Sequence, residues 1–171
     1  MGPIKIGISA CLLGQKVRYD GGHRYDPYLI DALGRYFEWI PVCPEVEYGL
    51  GTPREAMHLM GEPAAPRLVT ILTGVDHTDG MLAWAEKRLA ALRGDNLCGF
   101  IFKSGSPSSG MAAVKVYDAA GTADEKGVGL FAGALMRRFP HLPVEEDQGL
   151  HDPAACKSFL EKVLAYKQRR S

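Results

Sequence analysis

Ile4-Lys5-Ile6-Gly7-Ile8-Ser9-Ala10 reads as a buried strand that runs straight into Cys11-Leu12-Leu13-Gly14. A second strand-like run, Trp39-Ile40-Pro41-Val42, passes in the same way into Cys43-Pro44-Glu45. Between them, residues 28–37 carry the spacing of a short helix, which makes a β-α-β beginning. Strands joined in this way lie parallel, and the carboxyl ends of a parallel sheet share one rim where ligands and reaction centres gather. Two thiols therefore meet at that rim. A third strand over residues 99–103 ends in Ser104-Gly105-Ser106-Pro107-Ser108-Ser109-Gly110, so hydroxyls and backbone donors join them.

The alternation continues outward from that start. Asp79 caps a helix that runs through Arg93, with Met81, Leu82, Ala85, Leu89 and Leu92 along one face and Gly94 as its stop. Residues 127–139 are expected to form a helix in which Gly127, Gly129 and Gly133 allow close packing at about 1 kcal/mol each relative to alanine. Asp152-Pro153 is a cap and first-turn pair for a last helix ending near Lys167, with Phe159, Leu160, Val163 and Leu164 inward. Residues 61–66, rich in Pro and Ala, read as a surface loop, and residues 167–171 as a frayed tail. The expected fold is a single α/β domain over residues 1–171, three-layered and Rossmann-like, with a mostly parallel sheet.

Composition narrows the function classes. Twenty Lys plus Arg balance twenty Asp plus Glu, which argues against a broad polyanion-binding surface. No apolar run approaches the length of about 18 residues that a membrane span needs, and the first residues enter a strand without a signal-peptide pattern. The expected location is the cytoplasm, where four cysteines read as metal-binding, catalytic or buried thiols rather than a disulfide scaffold. Five histidines form no HxxxH, and the cysteines form no CxxC, so a closed zinc site is disfavoured. Neither Gly-x-Gly-x-x-Gly nor a Walker loop is present.

Several residues near the rim carry two readings each. Glu45, two positions after Cys43, is either the general acid or base of the site or a loop carboxylate paired with Arg18 or Arg54. Ser104 and Ser106 either orient water and substrate or serve the turn around Pro107. Lys103 either holds an anion together with backbone N–H groups or sits in solvent at a strand end. Arg18 and Asp20, beside Gly21-Gly22, either contact a ligand or close a surface turn. Cys156 reads as a core thiol of the last helix.

Residues 9–14, Val17-Arg18-Tyr19-Asp20-Gly21, Val42-Cys43-Pro44-Glu45-Val46-Glu47, Gly49-Leu50-Gly51-Thr52-Pro53-Arg54-Glu55 and residues 103–115 occur in an order that resembles the thiouracil desulfurases and the related thiouridine desulfidases of tRNA. The resemblance covers nearly the whole chain. Phe139-Pro140-His141-Leu142-Pro143-Val144-Glu145-Glu146, with Ala165-Tyr166, looks most like the branch in which a second domain follows.

The resemblance implies removal of sulfur, as sulfide, from a thiolated pyrimidine at a [4Fe–4S] cluster held by three cysteines, with one iron open to the substrate. Cys11 and Cys43 match two of those ligands, Glu45 handles protons, and Lys103, Arg18 and Asp20 face the substrate. The third ligand falls in a Ser-Pro-Ser-Cys-Gly pattern, where this chain has Ser106-Pro107-Ser108-Ser109-Gly110. Serine is a poorer partner for iron and sulfide than a soft thiolate. Cys98 is a poor substitute, because five strand residues put it about 17 Å from the far end of its strand. Three states follow: a cluster with oxygen at the third corner, no cluster, or a disulfide between Cys11 and Cys43. The alternative function is a cluster-free module that binds a small molecule or anion. The implied partners are a small thiolated pyrimidine or thiolated tRNA brought by a separate domain.

Overall fold

The computed structural model describes residues 2–170. Strand β1 (Ile4–Ser9) pairs in parallel with β2 (Phe37–Val42) on one side and with β5 (Gly99–Phe102) on the other, and β8 (Val144–Glu146) adds to β5, again in parallel. The order β2-β1-β5-β8 is parallel throughout, in keeping with the mostly parallel sheet expected from the strand-to-cysteine pattern. Its two faces take alternate side chains. Ile6, Ile8 and Ile101 pack with Leu29 and Leu33 of α1 (Pro27–Leu33) and with Phe159 and Val163 of α5 (Pro153–Arg170). Phe100 and Phe102 pack with Ala85 and Leu89 of α3 (Thr78–Gly94) and with Phe131 and Leu135 of α4 (Leu130–Arg138). Three layers result, as a parallel sheet buried on both faces requires.

Gly7 stands directly opposite Phe100, and a Cβ there would collide with the Phe100 ring. Strand β1 therefore depends on a glycine at this position to admit the Phe100 ring.

A second sheet, β4-β3-β6-β7, was not legible in the sequence. Strand β3 (Met57–Glu62) pairs antiparallel with β4 (Ala65–Thr70) and parallel with β6 (Val114–Tyr117), which pairs antiparallel with β7 (Ala123–Gly127). Its apolar face, with Met57, Leu59, Leu68, Val114 and Val116, packs on Met81 of α3 and Leu130 of α4.

Several boundaries differ from expectation. Residues 61–66 are the tip of the β3–β4 hairpin rather than a loop, with Gly61 at φ 95° and a turn at Pro63-Ala64. The helix expected over residues 28–37 is α1, ending at Leu33, and Phe37 opens β2. The helix expected from Gly127 begins at Leu130, since Gly127 closes β7 and Gly129 is the N-cap. Asp79 lies inside the first turn of α3, whose N-cap is His77. Helix α5 continues through Arg170, past the expected end near Lys167, and Ser171 lies outside the described residues. No helix among the described residues is long and apolar enough to cross a membrane.

Candidate active site

The four parallel strands end at one rim, and each hands the chain to a residue of the same cavity or its support. After β1 the backbone tightens into a single 3-10 turn, Ala10–Leu13, closed by Gly14 in the left-handed region at φ 88°. That turn sets Cys11 into the rim, 8% exposed. After β2, Cys43 is the N-cap of the short helix α2 (Pro44–Tyr48), and its N–H donates to Glu47 Oε2 at 2.9 Å. The cavity so formed has a volume of about 340 Å³, and Cys11, Cys43, Glu45, Lys103, Ser106 and Ser109 line it together with Ser104 and Arg18. Both cysteines are free thiols, so the structure has no disulfide between them. Burial pushes both thiols above their usual range; Arg18 and Lys103 pull against it at Cys11, and the Val46 N–H and Arg54 at Cys43.

The serine-rich loop is built by a helix. Helix α4 has no side-chain cap, and its amino end instead spends its backbone donors on the loop. Gly129 N–H donates to Gly110 O (2.7 Å), Leu130 N–H to Pro107 O (3.2 Å), and Phe131 and Ala132 N–H to Ser108 O (2.9 and 3.2 Å). Inside the loop, Ser106 Oγ accepts from the N–H groups of Ser108 (3.2 Å) and Ser109 (3.0 Å). Ser109 is thus held 4% exposed at the cavity wall by contacts that use its backbone.

Glu45 is bound on both oxygens. Arg54 Nε donates to Oε1 at 3.1 Å and Ser108 Oγ to Oε2 at 3.0 Å. Arg54 also donates through Nη1 to Gly51 O and through Nη2 to Val17 O, each at 2.8 Å, so one guanidinium ties α2 to the segment after Cys11. Ser106 and Ser108 hydroxyls lie 3.2 Å apart. A hydrogen-bonded path therefore runs from Glu45 through Ser108 to Ser106, all three on the cavity.

Lys103 is not in free solvent. Its Nζ donates at 3.2 Å to Asp147 Oδ2, to Ser104 O and to Ser104 Oγ, while Asp147 Oδ1 accepts the Ser104 N–H at 2.8 Å. Asp147 follows β8 and is buried. Ser9 Oγ accepts the Lys103 N–H at 2.9 Å. Of the expected site residues only Asp20 stays outside the cavity lining; it is exposed, and its Oδ1 accepts the Gly22 N–H of its own turn at 2.9 Å, which lowers its pKa together with Arg18. Arg18 lines the cavity with its Nε buried and without a hydrogen-bond partner among the described residues. Ser108, Arg54 and Asp147 are the positions around the cavity that single-residue reading underweights, because their partners lie 63, 9 and 44 residues away.

Among the described residues no three His, Cys, Asp or Glu side chains converge in a way that would hold a metal ion. Comparison with known proteins gives the site its context. The family model described as 2-thiouracil desulfurase matches residues 6–147. An uncharacterised protein of Bacillus subtilis (strain 168), YbbK, is 30% identical over 108 residues, which is 60% of this chain and 71% of that protein. The solved structure of TudS, described as a [4Fe-4S]-dependent thiouracil desulfidase, is 34% identical and superposes with a TM-score of 0.71, covering 91% of this chain and 98% of that one. With the family match spanning the parallel sheet and every cavity residue named above, the chain belongs to the 2-thiouracil desulfurase family.

Proposed function

We propose that this chain is a cytoplasmic desulfidase that removes sulfur as sulfide from a thiolated pyrimidine of the thiouracil or thiouridine type, with a [4Fe–4S] cluster as cofactor. The observation that carries this reading is the meeting of Cys11 and Cys43, from adjacent parallel strands, with Glu45 on one cavity. Cys11 and Cys43 would hold such a cluster as thiolates, with the Ser109 hydroxyl offered as the third donor from the same cavity wall. Arg18, Arg54 and Lys103 around the cavity offset the negative charge that such a group brings. When bound, the cluster supplies a Lewis-acidic iron with affinity for thiocarbonyl sulfur.

The chain's own residues supply the proton chemistry. Water adds its oxygen to the thiocarbonyl carbon, the C–S bond breaks, and sulfur leaves as hydrosulfide, so no oxidant or reductant is consumed. Glu45 Oε2 takes the proton of that water through Ser108 and Ser106, and the Arg54 ion pair holds the carboxylate in place to do so. Lys103, fixed by Asp147, and Ser104 offer positive charge and a hydroxyl to an oxygen of the pyrimidine. Arg18 contributes an unpaired buried donor to the same wall, and Asp20 orders the turn beside it.

The cavity, about 340 Å³, suits a small pyrimidine ligand. Thiolated tRNA presented by a separate domain is the second substrate class. The alternative reading, a cluster-free module that grips a small anion or nucleobase through Lys103 and the serine loop, is favoured by one observation, the hydroxyl of Ser109 at the third corner.

Anaerobic reconstitution with iron and sulfide, followed by iron and acid-labile sulfide counts and visible absorption, tests the proposal. Loading near four irons per chain with sulfide release from thiouracil is the expected result, and release from thiolated RNA separates the substrate classes. An iron-free parent beside a loaded Ser109→Cys variant overturns the cluster enzyme in favour of the binding module.

A further inference from the structure

A second cavity, of about 380 Å³, lies at the opposite rim of the parallel sheet, where β5 and β8 begin. Arg93 from the last turn of α3, Arg138 from the end of α4 and Arg170 from the end of α5 surround it, and Phe139, Leu142 and Tyr166 form much of its wall. A cation in a helix's last turn complements the helix dipole, which accounts for one arginine per helix. It does not account for three that converge on one hollow.

The three guanidiniums are differently engaged. Arg170 donates to Leu97 O at 3.0 Å and Asn96 Oδ1 at 3.3 Å and lies over the Tyr166 ring, 5.4 Å from its centroid. Arg138 reaches an acid only at 4.0 Å, and that partner, Glu86, is itself largely exposed. The Arg93 guanidinium has no hydrogen-bond or ion-pair partner among the described residues. No Asp or Glu lines the cavity. Three like charges around a hollow repel one another, and an anion seated between them removes that repulsion. All three cations are arginine, whose planar fork matches two oxygens of a phosphate at once. The volume falls in the range of about 300–1,000 Å³ typical of small-molecule sites, and the aromatic and leucine wall suits the apolar part of a ligand.

We propose that this cleft is a second ligand site, for a small phosphomonoester, with the phosphate between Arg93 and Arg138 and the flat or apolar remainder against Phe139, Leu142 and Tyr166. The cysteine cavity lies at the other ends of the same strands, so the two sites do not share a ligand. The site takes a small molecule rather than a nucleic-acid strand because it is concave and apolar-walled, whereas a strand needs a track of cations and bases stacked in succession.

Methyl and amide NMR of the full chain, titrated separately with inorganic phosphate and phenyl phosphate, tests this. Phenyl phosphate is expected to shift the methyls of Leu92, Leu97 and Leu142 and to bind more tightly than inorganic phosphate. Arg93→Gln and Arg138→Gln are each expected to weaken it about tenfold, Arg93→Lys less, and added salt to weaken it throughout. Iron loading at the cysteine cavity should be the same in these variants. Shifts confined to Val17 and Met57 beside the cysteines, equal affinity for the two phosphates, or unchanged affinity in both glutamine variants would each overturn the proposal. Displacement of phenyl phosphate by a short single-stranded RNA at lower concentration would overturn it in favour of a polyanion surface.

Discussion

Replacing Arg54 by Met removes the guanidinium while keeping an unbranched apolar stem, and its consequence follows from how enclosed the pair is. The Arg54 and Glu45 side chains are 8% and 14% exposed, so solvent from the cavity replaces only part of what the carboxylate loses when its partner goes. Three acceptors lose a charged donor at once: Glu45 Oε1, Gly51 O and Val17 O. Breaking a buried pair from one side costs about 3–5 kcal/mol, far above the value of up to about 1 kcal/mol for an exposed pair. With an unfolding entropy of about 2.1 cal/mol/K per residue over 171 residues, each kcal/mol lowers Tm by about 3 °C, so the loss is about 8–14 °C. Glu45→Gln keeps an acceptor for Arg54 and still meets Ser108, so alone it costs less. In Arg54→Met with Glu45→Gln no buried charge is left unpaired, and the double variant should be more stable than the sum of the two single losses by about 1.5–3 kcal/mol. Urea unfolding of the four cluster-free proteins under reductant measures the cycle. A single Arg54→Met cost below about 1 kcal/mol, or strict additivity, would refute the clamp.

Two further perturbations act on the thiols and on the serine loop. In the cluster-free chain, burial raises the pKa of Cys11 and Cys43, so the folded state keeps both protons after the unfolded chain begins to lose them near pH 8.5. The stability this contributes is complete below that pH and falls as the pH climbs through the folded values; urea midpoints between pH 7 and 10 should decline, and Cys11→Ala with Cys43→Ala should flatten the decline. Gly129→Ala places a Cβ 2.6 Å from Ser108 C and 2.7 Å from Ser109 N while the backbone, at φ −57°, accepts alanine without strain. The whole penalty, about 1–3 kcal/mol of overpacking, therefore falls on the loop, and iron uptake should drop while the far-ultraviolet dichroism of the helices persists.

What could be read from the sequence and what could not divides along the distance over which each feature is made. The strands that end in Cys11 and Cys43 announce themselves locally, as apolar runs followed by a thiol and a loop, and the parallel sheet follows from the helix between them. The second sheet does not, because β7 is Ala-Asp-Glu-Lys-Gly with four exposed residues and becomes a strand only through its pairing with β6. The site shows the same division. That Glu45 follows Cys43 is visible in the sequence, whereas its hydrogen bonds to Arg54 and to Ser108 from another loop are not. The position of Ser109 is likewise set from outside its own segment, by the amino end of α4, by Gly129 and by the Ser106 hydroxyl acting on backbone N–H groups. None of those contacts uses the Ser109 side chain. Exchanging its oxygen for sulfur therefore changes the donor chemistry at the proposed third corner and leaves the scaffold that presents it intact, which makes the difference in iron binding between the parent and Ser109→Cys a measure of that one atom.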